Sequence, residues 1–556
     1  MVEDQTIPIC KRLIPFLMLT IPVAAPAGAS VDPQAALHAY ARARLADGDG
    51  AMALAVDNYR TALTLDPDSV DVARRSYVQA LESGDRALAL RSAALLEEQG
   101  ALPRDGTLLL IGEALGRKDW AGARALTARM VEEGNFSFLA PIITSWITLG
   151  EGHYAAPVVA GQDRFAALAQ RYIDEHLALQ TLDRGDVAAA VPAIRRAIAL
   201  RGGESAALRL TLAAQLAARG AKAEALMLVP AGEATFARAR ADLTRGKVKA
   251  AAVTPVQGYA RLLSRLASDI ASDNSGMALS VRLARIATFA DPGGTEVQLV
   301  AARLLSAGGL AQGGVAEARK IPVDGWYGAL GQAELVDALA AAGDRQAALA
   351  LARSLAAEPG AGSERQVRLG RLLADMHDFD GAAAAFRAAQ ADYGDGQVPW
   401  ALLLFEGSAL EQGERWDEAR VVLERAMALA PNEPVVLNYL GYAQIERRQN
   451  VAEALDLIKK ASALKPQDAS IADSLGWARY VTGDVAGAVP VLERAAAGAP
   501  ADATINEHLG DALWSAGRRY EARYAWSAAS LFAQGDGAER IAAKVEQGLK
   551  PEYAAP

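Results

Sequence analysis

Cysteine is almost missing from this chain: Cys10 is the one example in 556 residues. It precedes an apolar stretch, Leu13 to Val23, whereas a lipoprotein cysteine would follow one. Once the segment that holds it is removed, no thiol remains. That excludes disulfides, zinc–thiolate sites and cysteine nucleophiles together. Histidine is scarce too. His38, His153, His176, His377 and His508 are widely separated and none has the H-x-x-x-H spacing of a helical metal site. There is no G-x-S-x-G and no P-loop, and Gly308-Gly309 and Gly313-Gly314 lack a nucleotide-binding context and read as loop. The chain is read as non-catalytic, without cofactor or metal. A long basic run is also absent and the net charge is −9. Nucleic acid is therefore not an expected partner, because that affinity rests on Lys and Arg against phosphate.

The N-terminus differs from the rest. Lys11-Arg12, the apolar Leu13–Val23 stretch and Ala27-Gly28-Ala29 stand in the order of a secretory signal, with cleavage expected near Ala29. The apolar run is too short to span a bilayer. Residues 1–29 are read as a signal peptide and the protein as exported, periplasmic or associated with the outer envelope. An uncleaved segment would leave it cytoplasmic or membrane-anchored.

What is plentiful is alanine. Aromatics make up 6% of the chain against 52% hydrophobic residues overall, and runs such as Ala382 to Ala385 recur. Alanine is the best helix former and lets helices approach closely; with no strand-like alternation, the expectation is all-α. A period follows. Gly407, Gly441, Gly476 and Gly510 stand 34, 35 and 34 residues apart. Ala419, Ala454, Ala488 and Ala522 trail them, then Ala426, Ala461, Ala495 and Ala529, and Pro431, Pro466 and Pro500 close the first three units. The small residues belong where two helices cross. The large residue four after the first alanine (Leu423, Ile458, Leu492, Trp526) fills the space between units, and proline stops the second helix. The one extra residue lies in the loop Arg447-Arg448-Gln449-Asn450.

This pattern resembles the 34-residue tetratricopeptide consensus in four consecutive units. The resemblance implies an α-solenoid, a right-handed superhelix of helix-turn-helix repeats. Weaker copies follow upstream at Ala43, Ala55, Tyr59 and Ala62, at Ala178, Ala190, Ile194 and Ala197, and at Gly370, Ala382, Phe386 and Ala389. The turns Gly84-Asp85, Gly185-Asp186, Gly343-Asp344 and Gly483-Asp484 separate paired helices. The reading along the chain is degenerate repeats over 30–228, an irregular bend or boundary over 229–258, and helical repeats over 259–399. Four well-formed units over 400–534 and a capping helix with its tail over 535–556 complete it. A second stretch, 135–164, also fits the repeat poorly.

The resemblance further implies that the first helix of each unit lines a groove. Its outward positions here are Asn438 and Tyr442; Asp473, Trp477 and Tyr480; and Glu507, Asp511 and Trp514. An amide or acid one turn ahead of an aromatic suits backbone hydrogen bonds plus ring contacts. The carboxylate clamp of chaperone-binding members is not expected, since these positions are mostly acidic, amide or aromatic. Asp174-Glu175-His176 point in different directions on one helix, and His508 with Glu507 and Asp511 is read as polar solenoid surface. The leading expectation is a scaffold or adaptor of a bacterial cell envelope that binds a protein or peptide. The alternative is a polysaccharide-export accessory with a glycan stacked on the groove aromatics.

Overall fold

The computed structural model describes residues 33–159, 164–201, 205–272, 276–394 and 397–555. The expected leader lies outside them. Among the described residues there are helices and turns but no strand, and no helix is long and apolar enough to cross a membrane.

The chain folds as two compact units. The first holds residues up to 208, 218–220 and 250–317; the second holds 209–217, 221–249 and 318–556. In the first unit lie α1 (Pro33–Gly48), α2 (Met52–Leu65), α3 (Val70–Ser83), α4 (Arg86–Glu98), α5 (Gly106–Gly116), α6 (Trp120–Glu132), α7 (Ala140–Gly150), α8 (Arg164–Asp183) and α9 (Val187–Arg201). Helix α10 (Ala206–Ala218) follows, then α11 (Lys222–Leu228) and α12 (Ala237–Arg245) in the second unit. The chain returns to the first unit for α13 (Pro255–Ala271), α14 (Met277–Ala290) and α15 (Thr295–Ala307), and leaves it through α16 (Ala311–Ala318). The second unit continues as α17 (Gly328–Ala341), α18 (Arg345–Ala356), α19 (Gly362–Asp375), α20 (Phe379–Ala389), α21 (Trp400–Gln412) and α22 (Trp416–Leu429). It ends with α23 (Pro434–Glu446), α24 (Val451–Leu464), α25 (Ala469–Val481), α26 (Val485–Gly498), α27 (Ala503–Ser515), α28 (Arg519–Ser530) and α29 (Gly535–Gln547).

Local chemistry sets the helix pairs. Between paired helices, Gly84, Gly185, Gly343 and Gly483 take φ of 82–91°, a left-handed conformation that side chains disfavour. The aspartate after each then caps the next helix: Asp85 accepts from Leu88 N at 3.0 Å, and Asp484 accepts from Gly487 N at 2.9 Å. Pro255 does not interrupt a helix but starts one, behind a Thr254–Gln257 capping box. Gly313-Gly314 is likewise not loop. It lies within α16, where a side chain at Gly314 would meet Ser306 and the Ala302 carbonyl of α15.

In the first unit the long-range packing departs from a simple stack. Helices α13 and α14 pack on α3, α5, α7 and α8, of which α3, α5 and α8 are the first members of their pairs. Tyr259 on α13 donates to Leu108 O at 2.6 Å, Gly258 admits the Trp146 ring, and Arg282 on α14 meets Asp105 at 2.8 Å. The inner face of these pairs is thus filled by the chain's own later helices. A buried ion network fastens them. Glu175 on α8 pairs with Arg201 at 2.5 Å and Arg261 at 3.7 Å, and Arg261 pairs with Glu296 at 2.5 Å. Burial pushes the Glu175 carboxyl up, but Arg201 and Arg261 outweigh it and hold the group at about 2. Its neighbours turn elsewhere, as helical spacing requires: Asp174 to Arg196, and His176 Nδ1 to the Trp146 indole at 3.0 Å.

Candidate functional site

The second unit keeps the regular crossing geometry. A side-chain carbon built on Gly407 would lie 2.7 Å from Leu423, on Gly441 2.8 Å from Ile458, and on Gly476 2.5 Å from Leu492; at Gly510 it would enter the Trp526 ring. All eight repeat alanines, Ala419 through Ala529, are fully buried, as are Leu423, Ile458, Leu492 and Trp526. The large residue therefore packs against the glycine of its own pair, and through clusters such as Ile458 with Ala472 and Leu475 it also reaches the next pair. First helices touch first helices, α23 on α25 and α25 on α27. The fold is a tetratricopeptide solenoid.

Comparisons add little to that geometry. No protein-family model and no curated protein matches the chain. Among solved structures, yeast Tom70 aligns at 12% identity over 93% of this chain and 96% of that one, with a TM-score of 0.36. TTC0263, a thermophilic TPR protein of Thermus thermophilus, aligns at 21% identity over 33% and 100%, TM-score 0.30. MamA MSR-1 C2 aligns at 19% over 31% and 95%, TM-score 0.25. Likeness at this level carries no argument, and the assignment stands on the helix pairs themselves.

The tetratricopeptide inner face runs across α21, α23, α25 and α27, and its last rows are covered by the chain. Lys544 on α29 is fully buried, with its Nζ 2.6 Å from Glu507 Oε1 and 2.8 Å from both Asp511 oxygens. Arg540 forks onto Glu507 at 2.8 and 2.9 Å. The Ala555 amide donates to Asp511 at 3.3 Å, and Trp526 Nε1 donates to it at 2.9 Å. The two carboxylates differ for a physical reason. Burial raises both, but on Glu507 the Arg540 fork and Lys544 win and lower it, whereas on the more deeply buried Asp511 one cation, Lys544, with the Ala555 and Trp526 N–H groups does not offset burial and the group stays raised.

The expectation that His508, Glu507 and Asp511 form a polar surface is therefore corrected: all three are buried. A capping helix must bring its own cation into an acidic row, and that pairing is invisible in a local window. His508 Nδ1 sits 3.0 Å from both oxygens of Asp473, and its ring stacks on Trp477 at 4.0 Å. Trp477 also stacks on Tyr480 at 5.0 Å and is 3% exposed. Trp514 leans on Trp526 and on Gly548, under Arg519 and Arg523.

Of the eight groove positions, Asp473, Trp477, Glu507 and Asp511 are thus buried within the chain, and Asn438, Tyr442, Tyr480 and Trp514 are half-buried. Toward α21 the face is more open. Phe405 is exposed, and Tyr439 donates to Ser408 and Glu411, the latter also held by Arg447 at 2.5 Å. Glu411 and Tyr439 were missed, although each occupies a first-helix position next to a groove residue. Tyr442 binds Glu446; burial lifts both groups above their ordinary values.

Two other features of the second unit are distinct from this face. A cleft of about 280 Å³ lies among Glu334, Arg365, Arg368 and Asp392. Several of its charges are spent internally: Arg368 on Asp337 at 3.0 Å, and Asp392 on the Ser363 amide. Tyr520 and Tyr524 on α28 and Leu531 just after it stand exposed. Among the described residues no group of three or more His, Cys, Asp or Glu is arranged to hold a metal ion.

Proposed function

We propose that this protein is a non-catalytic interaction scaffold, and that the inner face of α21, α23 and α25 takes a segment of a partner protein. The observation that carries the reading is the contrast along one face. The α27 row is sealed by α29 and the tail, while on α21 and α23 Phe405 is exposed and Tyr439 and Tyr442 are half-buried. Solenoids of stacked pairs offer such extended surfaces without a catalytic pocket. We further read the chain as exported to a bacterial envelope, on the strength of Lys11-Arg12, Leu13–Val23 and Ala27-Gly28-Ala29.

The test is capture from an envelope extract by the full chain and by a Phe405→Ser/Tyr442→Ala variant. A discrete protein retained by the first and lost by the second supports the reading, and identical retention refutes it. The mass of the mature N-terminus decides cleavage near Ala29. The glycan alternative needs free ring faces, and Trp477 has little face left: it is buried against Tyr480 and His508.

A further inference from the structure

Helix α28 carries large or apolar residues on two opposite sides. Ala522, Ala525, Trp526 and Ala529 are buried against the solenoid. On the other side Tyr520 is 84% exposed, Tyr524 78% and Leu531 77%. Leu531 follows the helix at φ −69° and ψ −23°, so it keeps the helical direction. At 3.6 residues per turn, positions 520, 524, 527 and 531 fall within an arc of about 60°. Their spacing, alternately four and three, is that of a seam closed by one further helix. A helix apolar all round is ordinarily buried all round.

The repeat supplies its own comparison. At the positions equivalent to Tyr520 and Tyr524, α22 carries Asp417 and Val421, α24 Ala452 and Asp456, and α26 Ala486 and Pro490. Stacking of the solenoid therefore needs no aromatic pair on the outer side of a second helix.

The stripe is complementary to itself. Around a two-fold axis beside the Ala525–Trp526 peptide, an antiparallel copy brings Leu531 opposite Tyr520 and Ser527 opposite Tyr524, large against small. The charges that flank the seam meet no like charge: Glu521 comes level with Ser530 of the copy, and Arg523 with Ala528. Both are already engaged in their own chain, Glu521 with Arg518, and Arg523 with the Val545 carbonyl at 3.0 Å and the Trp514 ring. The occupant that suits the stripe is thus apolar rather than ionic. With its flanks the stripe offers roughly 500 Å² on each copy, given about 150–250 Å² for a buried aromatic. A pair removes about 1,000 Å² from water, the lower limit for a specific interface.

We infer that α28 is a self-association surface, on which two copies of the chain pair antiparallel along Tyr520, Tyr524, Ser527 and Leu531. The inference goes beyond the scaffold reading and uses a different side of the second unit from its inner face. The small area makes the dimer weak, with a dissociation constant on the order of 10 µM. A dimer presents two inner faces to one partner, which strengthens its hold without any new contact.

Sedimentation velocity of the full chain, from about 1 to about 200 µM, reads the association. The mass is expected to rise from one chain to two across that range. Tyr520→Ser/Tyr524→Ser should weaken the dimer roughly tenfold or more, with an unchanged circular dichroism spectrum because both rings lie outside the core. Ser527 lies beside the axis, so in a Cys10→Ser background Ser527→Cys should give a covalent dimer under mild oxidation. Lys459→Cys, at the same repeat position on α24, should not. A chain that is monomeric at every concentration overturns the inference, whether or not phosphatidylglycerol vesicles then retain it. So does a dimer indifferent to the tyrosine pair, or one that Ser527→Cys fails to link. Phe405→Ser/Tyr442→Ala should dimerise as the parent chain does, so this inference and the scaffold reading fail separately.

Discussion

Lys544→Met isolates the ion cluster that seals the end of the solenoid. Methionine keeps most of the apolar stem and removes the ammonium. Glu507 then retains the Arg540 fork, at 2.8 and 2.9 Å, so its charge stays matched. Asp511, 1% exposed, is left with neutral donors only, Trp526 Nε1 at 2.9 Å and the Ala555 amide at 3.3 Å. Removing one partner of a buried pair costs about 3–5 kcal/mol. Because Asp511 keeps two hydrogen bonds and can take up a proton, the lower end, about 3 kcal/mol, is expected. The loss is local, since each pair in a solenoid leans on its neighbours alone. Hydrogen exchange should therefore show lost protection in α29 and the tail, with α23 and α24 unchanged. Adding Asp511→Asn to Lys544→Met should restore most of it, because the stranded charge is gone. The sign with pH also follows. Asp511 is already raised by burial, so acid neutralises the stranded carboxylate and the deficit of the single variant shrinks as pH falls. A deficit below about 1 kcal/mol, or no rescue by Asp511→Asn, would refute the account of the cap.

Three other outcomes are expected. Gly476→Ala brings a methyl to 2.5 Å from Leu492, so overpacking of about 1–3 kcal/mol should exceed the helix-propensity gain of about 1 kcal/mol; a raised urea midpoint would contradict it. Acid should destabilise the first unit. Burial depresses His176 from 6.5 to about 4, so the unfolded chain takes up its proton first and stability falls between those values, by roughly 3 kcal/mol once both are passed. Glu175, held at about 2, extends the loss below pH 4.5. His176→Gln should flatten the upper part of the profile measured by urea unfolding against pH. Asp484→Ala removes the cap on Gly487 N and should cost about 1 kcal/mol, read as faster exchange in the first turn of α26.

Most of the architecture was legible because it is local or periodic. The Gly-Asp turns encode a left-handed residue followed by an N-cap, and both operate within four residues. The spacing of Gly407, Gly441, Gly476 and Gly510 encodes where helices touch, since only a missing side chain admits Leu423, Ile458, Leu492 or Trp526. Asn438 and Tyr442 were assigned to the inner face by the same periodicity. What the sequence could not decide was whether that face stays open. Lys544 meets Glu507 and Asp511 across 37 and 33 residues, and Tyr259 meets Leu108 across 151. Periodicity specifies which side of a helix is apolar or acidic, but not which distant segment comes to cover it. Only tertiary packing filled the inner face of the first unit with α13 and α14 and turned the acids of α27 from surface into core.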